Sequence, residues 1–481
     1  MSSMRLGGLI SGVDTETLIQ AMMELERVRV YRQEEKQEQL EAKQEAWSDV
    51  RSVLSNIQSK LDQLRFPTLF RARKVELSDS AVATVTADAG AAQTSYTLQV
   101  VKLAQSHMIT TGNSDLYKAA DEQLGWAGTF DIGTDPNALK TISVEATDTL
   151  SSLAAKINAA DSGVVASVVM VGENQFRLVL TASESGAANA IQLTNEVPAG
   201  GTSLLGDILG LTGANRLELS AAQDAEIRLN GQTYTSATNT FDNILPGIKI
   251  TVRKPTGDDI VSMTVSADPD KVVQVVKDWV SAINSLQDQL KKLSAYDVEN
   301  KKASPLTGES LVRSIQYYLR QPFSARVEGM PQSMSMLSQI GVASGAYGTA
   351  DYGKIVVDEQ KLKEALQRDP EGIARLFGIN EEAVTNPDGT VTPARKGIAV
   401  QMTEYINSLL STDGAIDTRD KSLAQQIDRI KDTIERIEMQ LEQREKVLRL
   451  QFTRMEEAMA RLQSQGNYFA IMLLGNTKQQ S

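Results

Sequence analysis

The chain lacks cysteine altogether, and two other residue types that carry chemistry are scarce. Its 481 residues include no Cys, a single His and 5% aromatic residues. The absence of cysteine excludes disulfides, thiolate metal sites and cysteine nucleophiles. His107 would need a nucleophile and an orienting carboxylate to act as a catalytic base, and no Gly-x-Ser-x-Gly elbow is present. We therefore expect His107 to be a surface or inter-domain residue, and we expect no enzyme activity.

Long apolar runs and clusters of positive charge are also missing. The longest apolar run, around residues 164–171, is too short to span a bilayer and is typical of a strand. Residues 1–20 lack the cationic start and apolar centre of a signal peptide. Residues 110–270 carry 20 acids and 9 bases, which gives −11 of the total charge of −12. Nucleic acid is therefore excluded as a partner, because its binding needs clustered Lys and Arg, and membrane insertion is not expected.

Two loop motifs for ligands are incomplete. Gly348, Gly353 and Lys354 have the spacing of a phosphate-binding loop, but Ile355 stands where Ser or Thr would hold magnesium. Residues 386–389 have the composition of a turn and lack the alternating ligands of a calcium loop. We expect both to be structural loops, and we expect no cofactor and no metal.

What the sequence does contain is an apolar repeat of seven residues toward its C-terminus. Such a repeat places a narrow apolar seam on one face of a helix, and that seam needs another helix to cover it. The predicted contact positions on this last helix are Leu423, Ile427, Ile430, Ile434, Ile437, Leu441, Leu448, Met455 and Leu462.

The N-terminal region repeats the pattern more weakly. A helix is predicted from Thr15 to about Arg65, with Asp14 as its N-cap and Pro67 closing it, after a flexible segment at 6–13. A polar stretch at 29–39 interrupts its apolar face. The predicted contact positions on this helix are Leu18, Leu25, Val28, Leu40, Leu54 and Leu61. The two helices could cover each other within one chain, or each could contact another subunit.

The middle of the chain changes from a helical period to alternation. Strands are predicted within 75–101, at 141–144, in a hairpin at 164–181, and at 248–253 and 261–265. Asn230-Gly231 predicts a second hairpin between 226–229 and 232–235, whereas the Gly-rich stretch 105–133 resembles a domain boundary. Further helices are predicted at 149–159, 269–293, 311–319, 359–366, 371–376 and 397–410.

These patterns predict an α+β multidomain protein with helical coiled-coil termini and a helical head domain carrying inserted β-rich, sandwich-like domains. The predicted coiled-coil terminal segments are 1–40 and 411–481, and they are expected to be partly disordered in the monomer. The predicted helical domain combines 41–74 with 269–410, and the first β-rich domain combines 75–109 with 225–268. An outer β-rich domain is inserted at 110–224.

Several segments resemble the bacterial flagellar filament cap protein (hook-associated protein 2) family. Residues 8–14 and 18–26 are similar to the family's opening and first helix. Ile340-Gly341-Val342, residues 353–362 and residues 365–377 are similar to its most specific block, and residues 451–468 to its last helix. Residues 141–193 resemble a repeat found in flagellar axial proteins. The resemblance covers nearly the whole chain in the right order, although residues 10–13 and 347–352 depart from the usual pattern.

The resemblance implies a secreted structural protein at the distal tip of the flagellum, exported by the flagellar type III route. It implies a small ring of copies, a pentamer or a hexamer, that retains flagellin and promotes its insertion. Implied partners are the chain itself, flagellin, the hook–filament junction proteins and an export chaperone. Two alternatives stay open: a flagellin-like or junction axial protein, and an adhesin whose interior domains bind host mucin or a cell surface.

Overall fold

A computed structural model describes residues 14–112, 117–198, 201–213, 216–387 and 390–477, with side chains given up to residue 470. The chain forms two compact units: Met1–Pro67 with Val273–Ser481, and Thr68–Val272. The segment predicted to be flexible at 6–13 lies outside the described residues, as do residues 388 and 389. The finer division into four domains stays a prediction.

Helices make up most of the first unit. Asp14 caps the first helix as predicted, because its carboxylate accepts a hydrogen bond from Thr17 N at 3.1 Å. Asp369 accepts a similar bond from Gly372 N and is followed by Pro370 at the first helical position. Over both units, the α-helices of the described residues are α1 (Thr15–Leu64), α2 (Pro67–Phe70), α3 (Leu150–Ala159), α4 (Pro269–Leu293), α5 (Ser310–Arg320), α6 (Glu359–Arg368), α7 (Pro370–Gly378), α8 (Ile398–Leu410) and α9 (Ala415–Thr477), and α3 belongs to the second unit.

The core of the first unit is aromatic and aliphatic. Trp47 on α1 and Trp279 on α4 are fully buried. Trp279 stacks on Phe323 at 5.1 Å between ring centres and meets Phe377 edge-on at 5.9 Å. Within its described residues, this unit also contains four two-stranded antiparallel sheets. They pair β16 (Tyr296–Asp297) with β17 (Lys302–Ala303), β18 (Val342–Ser344) with β19 (Ile355–Val357), β20 (Asn380–Glu381) with β23 (Arg395–Lys396), and β21 (Val384–Thr385) with β22 (Val391–Thr392).

The second unit is built from antiparallel strands around two separate cores. Its strands are β1 (Arg73–Leu77), β2 (Ala83–Ala87), β3 (Ser95–Lys102), β4 (Met108–Thr111), β5 (Gly128–Gly133), β6 (Lys140–Val144), β7 (Val164–Gly172), β8 (Gln175–Ala182), β9 (Gln192–Pro198), β10 (Arg216–Ser220), β11 (Ala225–Leu229), β12 (Gln232–Ser236), β13 (Thr240–Leu245), β14 (Ile248–Val252) and β15 (Val261–Ala267).

The first of these cores lies between two sheets, in the order β1-β15-β3-β11-β12 and β13-β14-β2. Alternate residues of the strands, among them Leu98, Val100 and Met263, point inward and are fully buried. The hairpin predicted at Asn230-Gly231 joins β11 to β12, with φ values of +50° and +81°. Two sheets packed on one core confirm the sandwich-like fold.

The second core is formed by the sheets β10-β4-β8-β7 and β6-β5-β9 together with α3. The stretch 105–133, predicted to be a domain boundary, also contains strands β4 and β5, which the sequence analysis did not predict. Ile109, Phe130 and Ile132 from these strands are at most 1% exposed. Glycines and polar residues around them masked the alternation that marks a strand.

Helix α3 covers the outer edges of two strands through its side chains. The amide of Asn158 accepts from Ala166 N at 2.7 Å and donates to Ala166 O at 2.9 Å, as a neighbouring strand would. Lys156 donates to Ser143 O on β6 at 3.1 Å and pairs with Asp148. These two contacts satisfy the backbone of edge strands that would otherwise be open to pairing.

Asp148 anchors the start of this helix. Burial alone would raise the pKa of its carboxyl, but hydrogen bonds from the backbone N–H of Glu145, from Lys156 and from Ser152 outweigh burial and lower it. The ionised carboxylate is therefore the form that the fold favours.

His107 is buried, with 5% of its surface exposed, so the expectation of a surface position was wrong. Its Nδ1 accepts a hydrogen bond from Ile191 N at 2.8 Å. The ring proton is therefore on Nε2, which donates to Glu218 at 3.1 Å. His107 lies where the chain passes from one β core to the other, beside the bridge between Gln105 and Gln223, and an inter-domain position stays a prediction.

Candidate functional site

The two heptad helices α1 and α9 pack on each other in antiparallel orientation. Glu16 pairs with Arg449, Glu26 with Arg444, and Arg51 with Asp420. Along the pair, residue numbers on α9 therefore decrease as those on α1 increase, which shows the antiparallel orientation. Over this length the chain itself supplies the helical partner that each seam requires.

The outer part of this pair has a small apolar core. Its buried residues come from both helices and are Ile19, Met23, Val30, Ile437, Leu441 and Leu448. Ile434 and Phe452 pack against this cluster and are half-buried. The polar stretch at 29–39 continues the helix without a break and is largely exposed, apart from Val30. Only Val30 of this stretch is buried against α9, so the apolar contact between the two helices is interrupted here.

The predicted contact positions divide by exposure. Fully or nearly fully buried within the chain are Leu54, Leu61, Leu423, Ile427, Ile437, Leu441 and Leu448. Half-buried are Leu40, Ile430 and Ile434. Exposed are Leu18, Leu25, Val28, Met455 and Leu462. Intramolecular packing accounts for the buried group, and contact of any of these positions with another molecule stays a prediction.

Helix α1 has a second apolar stripe that nothing in the described ranges covers. At about 100° per residue, Leu18, Met22 and Leu25 lie about a third of a turn away from the buried stripe. Leu25 is 76% exposed, and the other two are about 40% exposed. An exposed apolar stripe of this kind is typical of surfaces that bind a partner, and such contact for this stripe stays a prediction.

The part of α9 from Thr453 to residue 470 is mostly exposed. Phe452 is the last residue packed on the small core, and Glu16 next to the start of α1 pairs with Arg449. Beyond this point Met455 is 40% exposed and Leu462 is 64% exposed, although both continue the same seven-residue series. The series therefore extends past the length that α1 covers.

Arg449 forms the strongest polar contact between the helices. Its guanidinium donates to both oxygens of Glu16, at 2.5 and 2.7 Å, and also to Glu445. The hydrogen bond from Arg449 lowers the pKa of the Glu16 carboxyl, and the same bond raises the pKa of Arg449. Because both side chains are about a third to a half exposed, we expect the pair to contribute only about 0.5–1 kcal/mol.

A groove of about 530 Å³ runs between α1 and α9. Its floor is apolar and includes Ile19, Met23 and Leu441, whereas its rim carries five carboxylates and one guanidinium, that of Arg27. The rim carboxylates are Glu24, Glu34, Glu438, Glu442 and Glu445. The heptad pattern predicted the seam but not this groove, because the pattern counts apolar positions on one helix and ignores charges contributed by two.

The loop that contains Gly348, Gly353 and Lys354 connects strands β18 and β19. The two strands are antiparallel, and β19 begins at Ile355, directly after Lys354. No helix N-terminus therefore faces Gly348 and Gly353. Within the described part of the chain, no group of three or more potential metal ligands occurs. None of the helices in that part is long and apolar enough to cross a membrane.

Comparison with known proteins gives three family models that match in chain order. They are the flagellar hook-associated protein 2 N-terminus at residues 11–107, the flagellin hook IN motif at 129–184, and the flagellar hook-associated protein 2 C-terminus at 222–464. The last of these alone spans half of the chain. Helices α1 and α9 lie at the two ends of this matched order.

Individual relatives agree with the family models. Flagellar hook-associated protein 2 of Escherichia coli (strain K12) is 27% identical over 389 residues, which is 78% of this chain and 81% of that protein. The Salmonella typhimurium protein is 33% identical over 260 residues, covering 52% and 51%. The solved D1-D2-D3 domains of the Escherichia coli flagellar cap protein FliD align with a TM-score of 0.58 at 27% identity, covering 79% of this chain and 99% of that one. The chain therefore belongs to the flagellar hook-associated protein 2 family.

Proposed function

We propose that the chain is the structural cap at the distal tip of a bacterial flagellar filament, where it retains exported flagellin and promotes its insertion. The observation that carries this proposal is the arm formed by α1 and α9, which joins both ends of a chain of this family. Its apolar series continues beyond the covered length, to Met455 and Leu462. A helical arm with uncovered apolar residues fits an assembly part and needs no catalytic group.

Docking of this arm on a helical partner would bury the exposed residues. Burial of one Leu or Met side chain contributes about 1.5–3 kcal/mol. Leu18, Leu25, Met455 and Leu462 together could therefore supply several kcal/mol, part of which is lost to the ordering of the interface. That range suits a contact that must hold the cap in place and yet rearrange whenever a subunit is added below it.

The partners follow from the same proposal. Copies of the chain form a ring of five or six, flagellin is the client, and the hook–filament junction proteins are the first surface on which the ring rests. An export chaperone would shield the apolar arm before secretion. The flagellin-like, junction-protein and adhesin alternatives are not favoured by the comparisons, since the matched models cover both ends of this family's sequence.

Exposed positions on the far part of α9 allow a clean test. We expect the double variant M455D/L462D to fold normally but to abolish swimming in cells that lack their own cap protein, with flagellin lost to the medium as monomer. The matched control is V298D/V384D, which places the same charges at exposed apolar residues outside the two terminal helices. Normal filaments in the first variant, or equal loss in both, would contradict the role of the arm.

A further inference from the structure

We propose that the acidic groove between α1 and α9 of one copy binds the basic, apolar face of α9 from a second copy. This is a contact between copies, and it concerns how the proposed cap associates. It rests on geometry and charge in the terminal helices. Its test uses purified protein, so its outcome is independent of filament growth.

The groove is suited to a helix with positive charges along its edge. Ile19, Met23 and Leu441 give it an apolar floor. Among the rim carboxylates, Glu34 and Glu438 have no ion pair with any described residue, and each is exposed. An apolar floor flanked by uncompensated carboxylates favours a helix whose contact face carries Arg or Lys beside aliphatic residues.

The same helix α9 presents such a face on its other side. Val447 and Leu450 are 44% and 51% exposed, and Arg454 and Arg461 are also exposed. Spacings of three, four and seven residues place these side chains within about 60° of one another around the helix. One face of α9 therefore carries two aliphatic side chains and two guanidinium groups.

Groove and face cannot meet within one chain. At about 100° per residue, Glu438 lies about 180° around α9 from Val447, so the two surfaces are on opposite sides of the helix pair. A face that fits a groove on the opposite side of an identical molecule gives head-to-tail association. Repetition of such a contact produces a ring when the rotation closes. A second copy is therefore the partner that carries both halves of the contact.

Crosslinking tests the contact directly, because the native chain has no cysteine. Full-length protein carrying Gln20→Cys in the groove is mixed with full-length protein carrying Leu450→Cys on the face, and the mixture is oxidised. We expect a disulfide-linked dimer of the two variants at least tenfold above the yield from Q20C mixed with V384C, which is exposed outside both surfaces. A yield no higher than that of this control would overturn the proposal.

Exchange of charges between the groove and the basic face of α9 tests whether their opposite charges hold the contact. In the cysteine background, E34R/E438R in the groove and R454E/R461E on the face should each lower the crosslink yield roughly tenfold, because each brings like charges together. Combining the groove variant in one partner with the face variant in the other should restore the yield to within about twofold. The control E299R/E328R makes the same charge change outside the terminal helices and should have no effect. Failure of the combined exchange to restore the yield would refute the assignment of these residues.

Discussion

Replacement of Leu441 by Ala should loosen the outer part of the α1–α9 pair and leave the rest of the molecule unchanged. Leu441 is 7% exposed and packs with Ile19, Met23 and Val30 in the small core. Leu→Ala at a buried site costs about 2–5 kcal/mol, and a small core near solvent can partly collapse, so we expect about 2 kcal/mol. This loss corresponds to roughly thirtyfold faster exchange of the amides that this core protects.

Hydrogen exchange of the purified full-length chain, read by mass spectrometry, measures this effect. Peptides from 19–30 and 434–452 should exchange about thirtyfold faster in Leu441→Ala, whereas peptides from 47–64 should not change. Met439→Ala is the matched control, because Met439 is on the same helix and 55% exposed. It should alter exchange no more than about twofold. An equal increase throughout the chain, or none at 434–452, would refute the assignment of a separate local core.

Hydrogen exchange of the unsubstituted protein also tests the prediction, made from the sequence, that the terminal segments are partly disordered. The terminal segments were expected to be partly disordered in the monomer and to order on docking. In the structure, Thr15–Leu64 and Ala415–Thr477 are helical throughout and cover each other as far as Phe452. Strong protection across 423–452 in the isolated protein would refute disorder there, and free exchange would support it.

Two further predictions concern the second unit. The lowered pKa of Asp148 contributes stability that is fully present above the unfolded value of about 3.9 and is lost as pH falls through the folded value. Asp148→Asn should therefore reduce the fall of the melting temperature as the pH is lowered from about 5 to about 2, and an unchanged fall over this range would contradict the role of the carboxylate. Asn158→Ala should lower the free energy of unfolding by about 1–3 kcal/mol, because it leaves Ala166 N–H and C=O unpaired at a strand edge. It should also promote self-association in size-exclusion chromatography, and a loss below about 0.5 kcal/mol would contradict the capping role.

The helices were the part of the fold that the sequence predicted best. Predicted and observed bounds of α4 coincide at Pro269–Leu293, because a long amphipathic period is a strong signal and Pro opens the helix. Strands β9, β10 and β13 were missed, as β4 and β5 were. Each of β9, β10 and β13 lies at the edge of its sheet and has irregular pairing, so exposed residues replace the alternation. Their place depends on partners distant in sequence.

The candidate site was predicted only in part for a related reason. Leu441, Leu448, Met455 and Leu462 are equivalent in the seven-residue series, yet the first two are buried and the last two exposed. The difference arises because α1 is antiparallel to α9 and begins at Thr15. Its first turn lies near Phe452, so α1 does not cover the part of α9 that follows. The seven-residue pattern of α9 does not indicate which of its residues lie opposite the start of α1. The groove likewise exists only once two helices are side by side.

The position of the protein on a growing filament tests the central claim most directly. Tyr347 is 88% exposed and the chain has no native cysteine, so Tyr347→Cys gives one accessible site for a fluorescent label. On living cells whose filaments are labelled in a second colour, the account predicts one spot at the distal end of each filament that moves outward during growth. Label along the whole filament, as a flagellin-like subunit would give, or a fixed spot at the base, as a junction protein would give, would contradict it.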